Sequence, residues 1–565
     1  MTVRLQVMRK IMVLGLALLG VGLVAAWFFA RPAYRRYEER RAVEEAKEFL
    51  AKRDFKNASL SARRALTVNP RDVEPCRIIA ELADMSGAPA ALEWWGRVAQ
   101  LSPTVADRLR LASAALRYQP PPFALAARTL KGLAHAAGRE AAYHSLLGQL
   151  DLKRNRLAAA TQEFERAVEL EPTNQFHQLN LAVLRLASTN QAIAAQGRQS
   201  LEQLRTSPTL GAVALRSLIA DSLKGKNLAR ARQFSDQVLK TPQASLDDRL
   251  QHAAILRQMK DPEFETDLLS IQKRVSTNAL AIYATTTWMI GQRLAAQAGS
   301  WLKSLPSRLR AQQPVPLAVV DCYEAQEDWP GLETYLQGQQ WNDMEFMRYA
   351  LLSRAAAKQH ETVTVQSRWD TAVRQAGDRI DALKALLNLA AKWGWEKDRD
   401  HLLWQILQRF PRERWTLMDL QQSYMRVGDT RGLNNVFTAM ATYNPSNFVA
   451  LNNLAATSLL LKTNLPQAYN MAKEAFLHYP TNATIASTYA FSLYCQGKTH
   501  QGLAVLQQID PKALQTPSVA LYYGVLLSRA GESGEAQKYL GLARKSHLLP
   551  EEQTLLRDCT EPARK

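Results

Sequence analysis

From about residue 50 to the C-terminus, apolar residues recur at helical spacing, in short stretches broken by a proline or a small polar turn. Such stretches predict amphipathic helices, because positions three and four apart share one face. Alternating strand-like patterns are scarce, so the reading is all-α. The segment from Ala141 to Asn174 shows the unit most clearly. Gly148 falls on a first helix; Ala160, Phe164 and Ala167 fall on a second; Pro172 closes the pair. Small residues at 148 and 160 let two helices approach, and Phe164 fills the gap between hairpins. Ala167 admits the next helix, and Pro172 cannot continue the second one.

The same spacing returns along the chain. Ala58, Ala62, Ala65 and Pro70 repeat the second helix, as do Ala91, Trp95, Val98 and Pro103. Leu433, Phe437, Met440 and Pro445 follow, then Ala468, Ala472, Ala475 and Pro480, and Gly524 precedes Ala536, Leu540 and Ala543. Between about 245 and 410 the small residues blur and tryptophans enter: Trp288, Trp301, Trp341, Trp369, Trp393, Trp395 and Trp404. Helices remain legible there over Leu280–Gly291, Phe346–Lys358 and Ala382–Trp393, and the stretch reads as degenerate hairpins, with a separate all-helical domain as the alternative. The pattern resembles the tetratricopeptide repeat, whose period is 34 residues. That resemblance implies an all-α fold, a right-handed α-solenoid of roughly 12–15 hairpins at 34–40 residues each. It also implies a groove, lined by the first helices, that holds a peptide or a partner helix.

A different pattern stands at the N-terminus. Ile11 to Ala30 is uncharged and about twenty residues long, enough to cross a bilayer core as one helix. Arg4, Arg9 and Lys10 precede it, and Trp27, Phe28 and Phe29 stand at its end, where aromatic rings favour the interface. A cleaved signal peptide is the rival; the run is long for one and lacks a small-residue cleavage site. The expected organisation is a basic flank (1–10), a transmembrane anchor (11–30) and a charged juxtamembrane helix (31–53). Repeats (54–244), divergent hairpins (245–413), further repeats (414–550) and a capping helix with a tail (551–565) follow. Arg35 with Glu39, Arg40 with Glu44 and Arg41 with Glu45 stand four apart, as helical ion pairs do. The basic N-terminus argues for export of the repeats, to the periplasm of a bacterial inner membrane; the arginines after the span argue the reverse.

The net charge is +19, a field able to draw nucleic acid, anionic glycan or an acidic protein. The positive residues are dispersed along the repeats, as on a solvated surface. Four cysteines stand apart, with no C-x-x-C, and Cys76 and Cys495 read as small core residues. Nine histidines are scattered without metal-ligand spacing, His144 on a first helix facing surface or groove, so neither a metal nor a cofactor is expected. Gly497-Lys498-Thr499 invites a phosphate-loop reading, but Ser492 stands where that loop needs glycine. Asp247-Asp248 and Glu551-Glu552 sit at helix starts, where acids favour the helix dipole.

No catalytic constellation emerges, and the chain is not expected to be an enzyme unless buried titratable groups cluster between 245 and 410. Some tetratricopeptide proteins clamp a C-terminal carboxylate with Lys, Asn and Arg from neighbouring first helices. Here Asn180 and Arg216 fit such positions, while the preceding unit offers Ser145 and Gln149 and lacks the lysine. Gln149, Asn180 and Arg216 are therefore the candidate partner-binding residues. The resemblance implies a membrane-tethered scaffold that binds proteins, in assembly of an envelope or membrane complex. The alternative is a module for an acidic polymer, nucleic acid or anionic glycan, held in a basic groove.

Overall fold

Whether two helices can touch depends on what stands at their crossing. In a computed structural model, which describes residues 27, 31 and 33–560, Ala160 and Ala167 of the helix Leu157–Leu170 are fully buried, and Phe164 is almost so. A Cβ built on Gly148 of the helix Ala141–Lys153 would stand 2.8 Å from Phe164 Cε2, so glycine is what lets the ring lie across the first helix. Gly524 against Leu540 repeats the arrangement, also at 2.8 Å. Gly197 is tighter in kind: its Cβ would come 2.6 Å from Leu186 N and 2.7 Å from Ala182 O, backbone atoms of the partner helix Gln175–Leu186.

These crossings repeat as helical hairpins, and no strand occurs among the described residues. The chain divides into two compact units, Met1–Val319 and Val320–Lys565. In the first, Val73–Met85 pairs with Ala90–Leu101, Val105–Arg117 with Phe123–Lys131, and Ala141–Lys153 with Leu157–Leu170. Gln175–Leu186 then pairs with Gln191–Leu204, Gly211–Lys224 with Leu228–Leu239, Leu246–Met259 with Glu263–Val275, and Ala279–Gly291 with Ala295–Ser304. In the second, Glu345–Lys358 pairs with Thr362–Ala376, Ile380–Trp393 with Glu396–Arg409, and Trp415–Val427 with Thr430–Tyr443. Phe448–Leu461 with Leu465–His478, Ala483–Cys495 with Thr499–Leu506, and Pro517–Arg529 with Ser533–Ala543 complete it. Asparagine and aspartate N-caps open many of these helices: Asp72, Asn174, Asn190, Asn227, Asn447 and Asn482 each accept from a backbone N–H.

The charged helix spans 33–51 and is the first arm of the opening hairpin, packing against Phe55–Val68. Ala42 and Val43 cluster with Ala65, and Ala46 with Ala62, Ile78 and Ile79. Of the three expected ion pairs Arg41–Glu45 forms, at 3.0 Å. Glu38 and Glu39 turn to the second arm, accepting from Arg64 at 2.9 Å and from Asn69 at 2.7 Å. Cross-helix partners hold a long acidic side chain in a buried crevice better than a solvated neighbour one turn away.

Hairpins continue through 245–413. Their alanines blur because bulk has moved to other positions: Trp369 is buried, with its ring 5.4 Å from Trp395 and 6.4 Å from Trp393. Cys76 is in the core, but Cys495, expected there too, ends its helix at the surface. Its position is the last of the helix, where the buried face has already turned away. Gly497 makes the turn between two helices at φ +76°. Apart from Trp27, the apolar run 11–30 lies outside the described residues, as do 561–565; among those described, no helix is long and apolar enough to cross a membrane.

Because an added methyl at 197 meets backbone, whereas one at 148 meets a ring that can tilt, Gly197→Ala should cost about 1–3 kcal/mol and more than Gly148→Ala. Hydrogen exchange resolved along the chain checks this: protection should fall first within 175–204. Equal protection in both variants would remove the close-approach argument.

Candidate functional site

Consecutive first helices touch one another directly. Gln175–Leu186 meets Gly211–Lys224, and Leu246–Met259 meets Ala279–Gly291. Within each pair they lie side by side, and Arg216 on Gly211–Lys224 reaches Asp248 on Leu246–Met259 between the pairs. Several of their outermost side chains are apolar where a solvated surface would be polar: Phe176 and Val183 on one helix, Val213 on the next, and Leu280, 72% exposed, further on. A depression of about 590 Å³ is lined by Asp247, Leu250 and Gln251 from one helix and Tyr283, Thr287 and Trp288 from another. Exposed apolar groups on three of these four first helices, with an aromatic hollow between the last two, suit a ligand that brings its own apolar side chains.

The arginines do something else. Arg77 holds Asp107, 30 residues on, with Nη2 2.8 Å from Oδ2. Arg117 holds Asp84 at 2.6 Å over 33 residues, and Arg198 holds Asp221 through two nitrogens. In the second unit Arg368 reaches Glu333 over 35 residues, and Arg426 reaches Glu396 over 30 at 2.8 Å. All but the 23-residue step from Arg198 to Asp221 are close to one repeat. These are links from one hairpin to the next, each cation answered by an acid.

The three candidate residues stand on successive first helices, Gln149 on 141–153, Asn180 on 175–186 and Arg216 on 211–224. Gln149 and Asn180 are half-buried, and the Asn180 Nδ2 is buried without a hydrogen-bond partner. Arg216 is one of the links: Nε and Nη2 each lie 2.8 Å from an oxygen of Asp248, and Nη2 also donates to the Gln243 carbonyl at 3.0 Å. A carboxylate arriving at Arg216 would have to compete with Asp248. Ser145 is buried, and His144 joins the two arms of its hairpin, 2.7 Å from Glu163 and 3.1 Å from the Gly138 carbonyl. Tetratricopeptide positions alone do not show that an acid one repeat later answers the arginine; the spacing of Arg216 and Asp248 carries that signal. The exposed apolar residues were equally open to reading, as apolar entries at outward positions of the first helices.

The second unit carries a cationic patch on its first helices. Arg354, Lys358 and Lys392 surround Glu324, whose carboxyl is pushed above its usual range by burial against the pull of these cations. Arg354 lies 5.5 Å over the Trp393 ring, and its Nε is buried without a hydrogen-bond partner; Lys358 lies 5.5 Å over Trp329. With Asp321 beside Glu324, three cations face two acids and two indole faces, a set that can receive an anionic group. It offers no nucleophile paired with a base. Among the described residues no cluster of His, Cys, Asp or Glu could hold a metal ion.

No protein-family profile matches the chain, and no curated protein matches it. Solved structures with some likeness include PilF of Pseudomonas aeruginosa, at 16% identity and TM-score 0.32, covering 40% of this chain and 99% of that one. The Cut9–Hcn1 heterotetramer of the APC/C matches at 11% identity and TM-score 0.27, over 95% of this chain and 99% of that one. Naa15/Naa10 bound to HypK-THB matches at 15% identity and TM-score 0.28, over 92% of this chain and 70% of that one.

Asp248 gives the inter-hairpin links a pH signature. The hydrogen bond from Arg216, with the Ser245 backbone and hydroxyl adding to it, holds its carboxyl down at about 2 against the effect of burial. A folded pKa below the unfolded one stabilises fully above the unfolded value near 3.8, and that stability is lost as pH falls through about 2. Asp248→Asn should lower stability at pH 7 by about 2 kcal/mol. The gap between wild type and variant should close between pH 4 and pH 2, read from denaturant melts across that range.

Proposed function

We propose that the chain is a membrane-tethered binding scaffold, not an enzyme, and that its first-helix face in the Met1–Val319 unit holds a protein partner through an extended or helical segment. The observation that carries this reading is the set of exposed apolar side chains Phe176 and Val183, Val213, and Leu280, on three of the four first helices between 175 and 291. Leaving such groups in water is unfavourable by roughly 25 cal/mol per Å², which a bound partner would recover. The apolar run 11–30 with its basic flanks supports a tether, in this reading in a bacterial inner membrane with the repeats on the periplasmic side. A tether raises the effective concentration of the face towards membrane-complex components, which fits a role in their assembly.

A photo-crosslinking residue at position 183, tested in membranes, should capture a discrete protein, and the double change Phe176→Ser with Val213→Ser should abolish that product. The same residue at Leu269, an exposed position on the second helix Glu263–Val275, is the control. Equal products from 183 and 269 would overturn the reading. A reporter enzyme active only outside the cytoplasm, fused to the C-terminus, tests the side of the membrane; an inactive but well-expressed fusion would reverse the orientation.

The patch of Arg354, Lys358 and Lys392 beside Trp393 and Trp329 favours a second reading, capture of an acidic polymer. Binding of single-stranded nucleic acid or an anionic glycan should then fall steeply with salt and be lost on Lys358→Glu with Lys392→Glu. Binding indifferent to salt would sink it.

A further inference from the structure

The helix Pro550–Thr560 does not extend the stack as one more first helix. After Ala543 the chain turns back towards hairpins it has already built. His547 Nε2 lies 3.1 Å from the carbonyl of Met425, 122 residues earlier. Pro550 packs on Gly428, its Cδ 3.5 Å from where a Cβ on that glycine would stand. Thr430 donates its hydroxyl to Glu551, and Tyr522 donates to Glu552 at 2.7 Å. Leu548, Leu549 and Leu556 are buried, and the helix lies against the first helices Phe448–Leu461 and Pro517–Arg529. It is a short amphipathic helix, acidic in its first turn and apolar one turn later, seated mainly on first helices, with further contacts to the second helix Ser533–Ala543 and to Gly428 and Thr430 at one hairpin's turn.

We propose that the first-helix face between 415 and 529 is a helix-binding surface whose partner is an amphipathic helix of the same chemistry, and that 550–560 is a resident occupant the partner displaces. The inference rests on the reading of first-helix faces as binding surfaces, but it concerns the second unit and is tested there. Three observations support it. The polar anchors are hydroxyls, Thr430 and Tyr522, which any carboxylate at the right spacing satisfies. The resident is short, eleven residues or about 16 Å. The face continues past it with apolar groups left bare: Met418, 70% exposed, with Met425 and Val449. A longer helix bearing an acidic pair and then a leucine pair would keep the resident's contacts and cover these three as well. The linker 544–549 keeps the resident at high local concentration, so a partner needs that extra contact to win.

The test uses the full chain. Leu549→Ser with Leu556→Ser should release the resident, and a fluorescent peptide of residues 547–560 should then bind at least tenfold tighter than it binds the unaltered chain. Glu551→Gln with Glu552→Gln in the peptide should remove most of that binding. Equal affinity for both chains would show that the resident does not occupy the seat, and no binding to either would show that the seat is not a binding surface. Hydrogen exchange on the unaltered chain reports without any variant. Amides of 550–560 should exchange faster than those of 517–529, and equal protection would make the helix a fixed part of the core and end the proposal. Crosslinking at Val183 could fail while this result stands, and the reverse.

Discussion

A helical hairpin of this kind leaves both of its sides uncovered, and everything else in the molecule follows from that. Phe164 is buried only because a first helix with glycine at 148 lies under it and another hairpin follows. Stability in such a stack is a sum over neighbours, with no single core to nucleate around. The arginine links obey the same logic. Arg77 to Asp107, Arg216 to Asp248 and Arg368 to Glu333 each span about one repeat, so each joins a hairpin to its successor and to nothing further away. Packing fixes the distance between hairpins, and the bidentate pairs fix the angle at which one sits on the next.

The repeat was legible because it depends on steric minima. Ala58, Ala62, Ala65, Ala160, Ala167, Ala468, Ala472 and Ala475 are all fully buried, and any side chain larger than a methyl would push the backbones apart. The stretch 245–413 was harder, because Trp369 with its neighbours Trp393 and Trp395 shifts bulk between positions while leaving the hairpin intact. Cys495 misled because a helical pattern does not say where the buried face stops. Of the candidate site, the face was predictable and its chemistry was not. Arg216 reads as a groove residue until Asp248 is seen to be within reach. The last helix reads as a polar cap, since a periodic pattern cannot reveal that Glu551 and Thr430 meet across 121 residues.

The first-helix faces of the two units are in different states. In the first unit Phe176, Val183 and Leu280 face solvent, and a hollow lined by Leu250 and Trp288 lies between later first helices. In the second, the chain's own terminal helix covers part of the corresponding face, and a patch of three cations lies on earlier first helices. Arginines such as Arg77, Arg216 and Arg368 are committed to internal links, while the first unit exposes apolar residues such as Phe176 and Leu280.

The return of the chain from Ala543 to Gly428 has a further meaning. Hairpins linked only to their neighbours form an open series, and such series can gain or lose a member in the course of evolution with little disturbance. Between Thr430 and Glu551 the series is closed into a ring, because Glu551 and Glu552 must meet Thr430 and Tyr522 at once. One hairpin more or fewer would leave these partners out of register. The C-terminal helix therefore counts the hairpins within this arc. Length variation among related chains should fall before it or after it, with the arc itself kept at constant number.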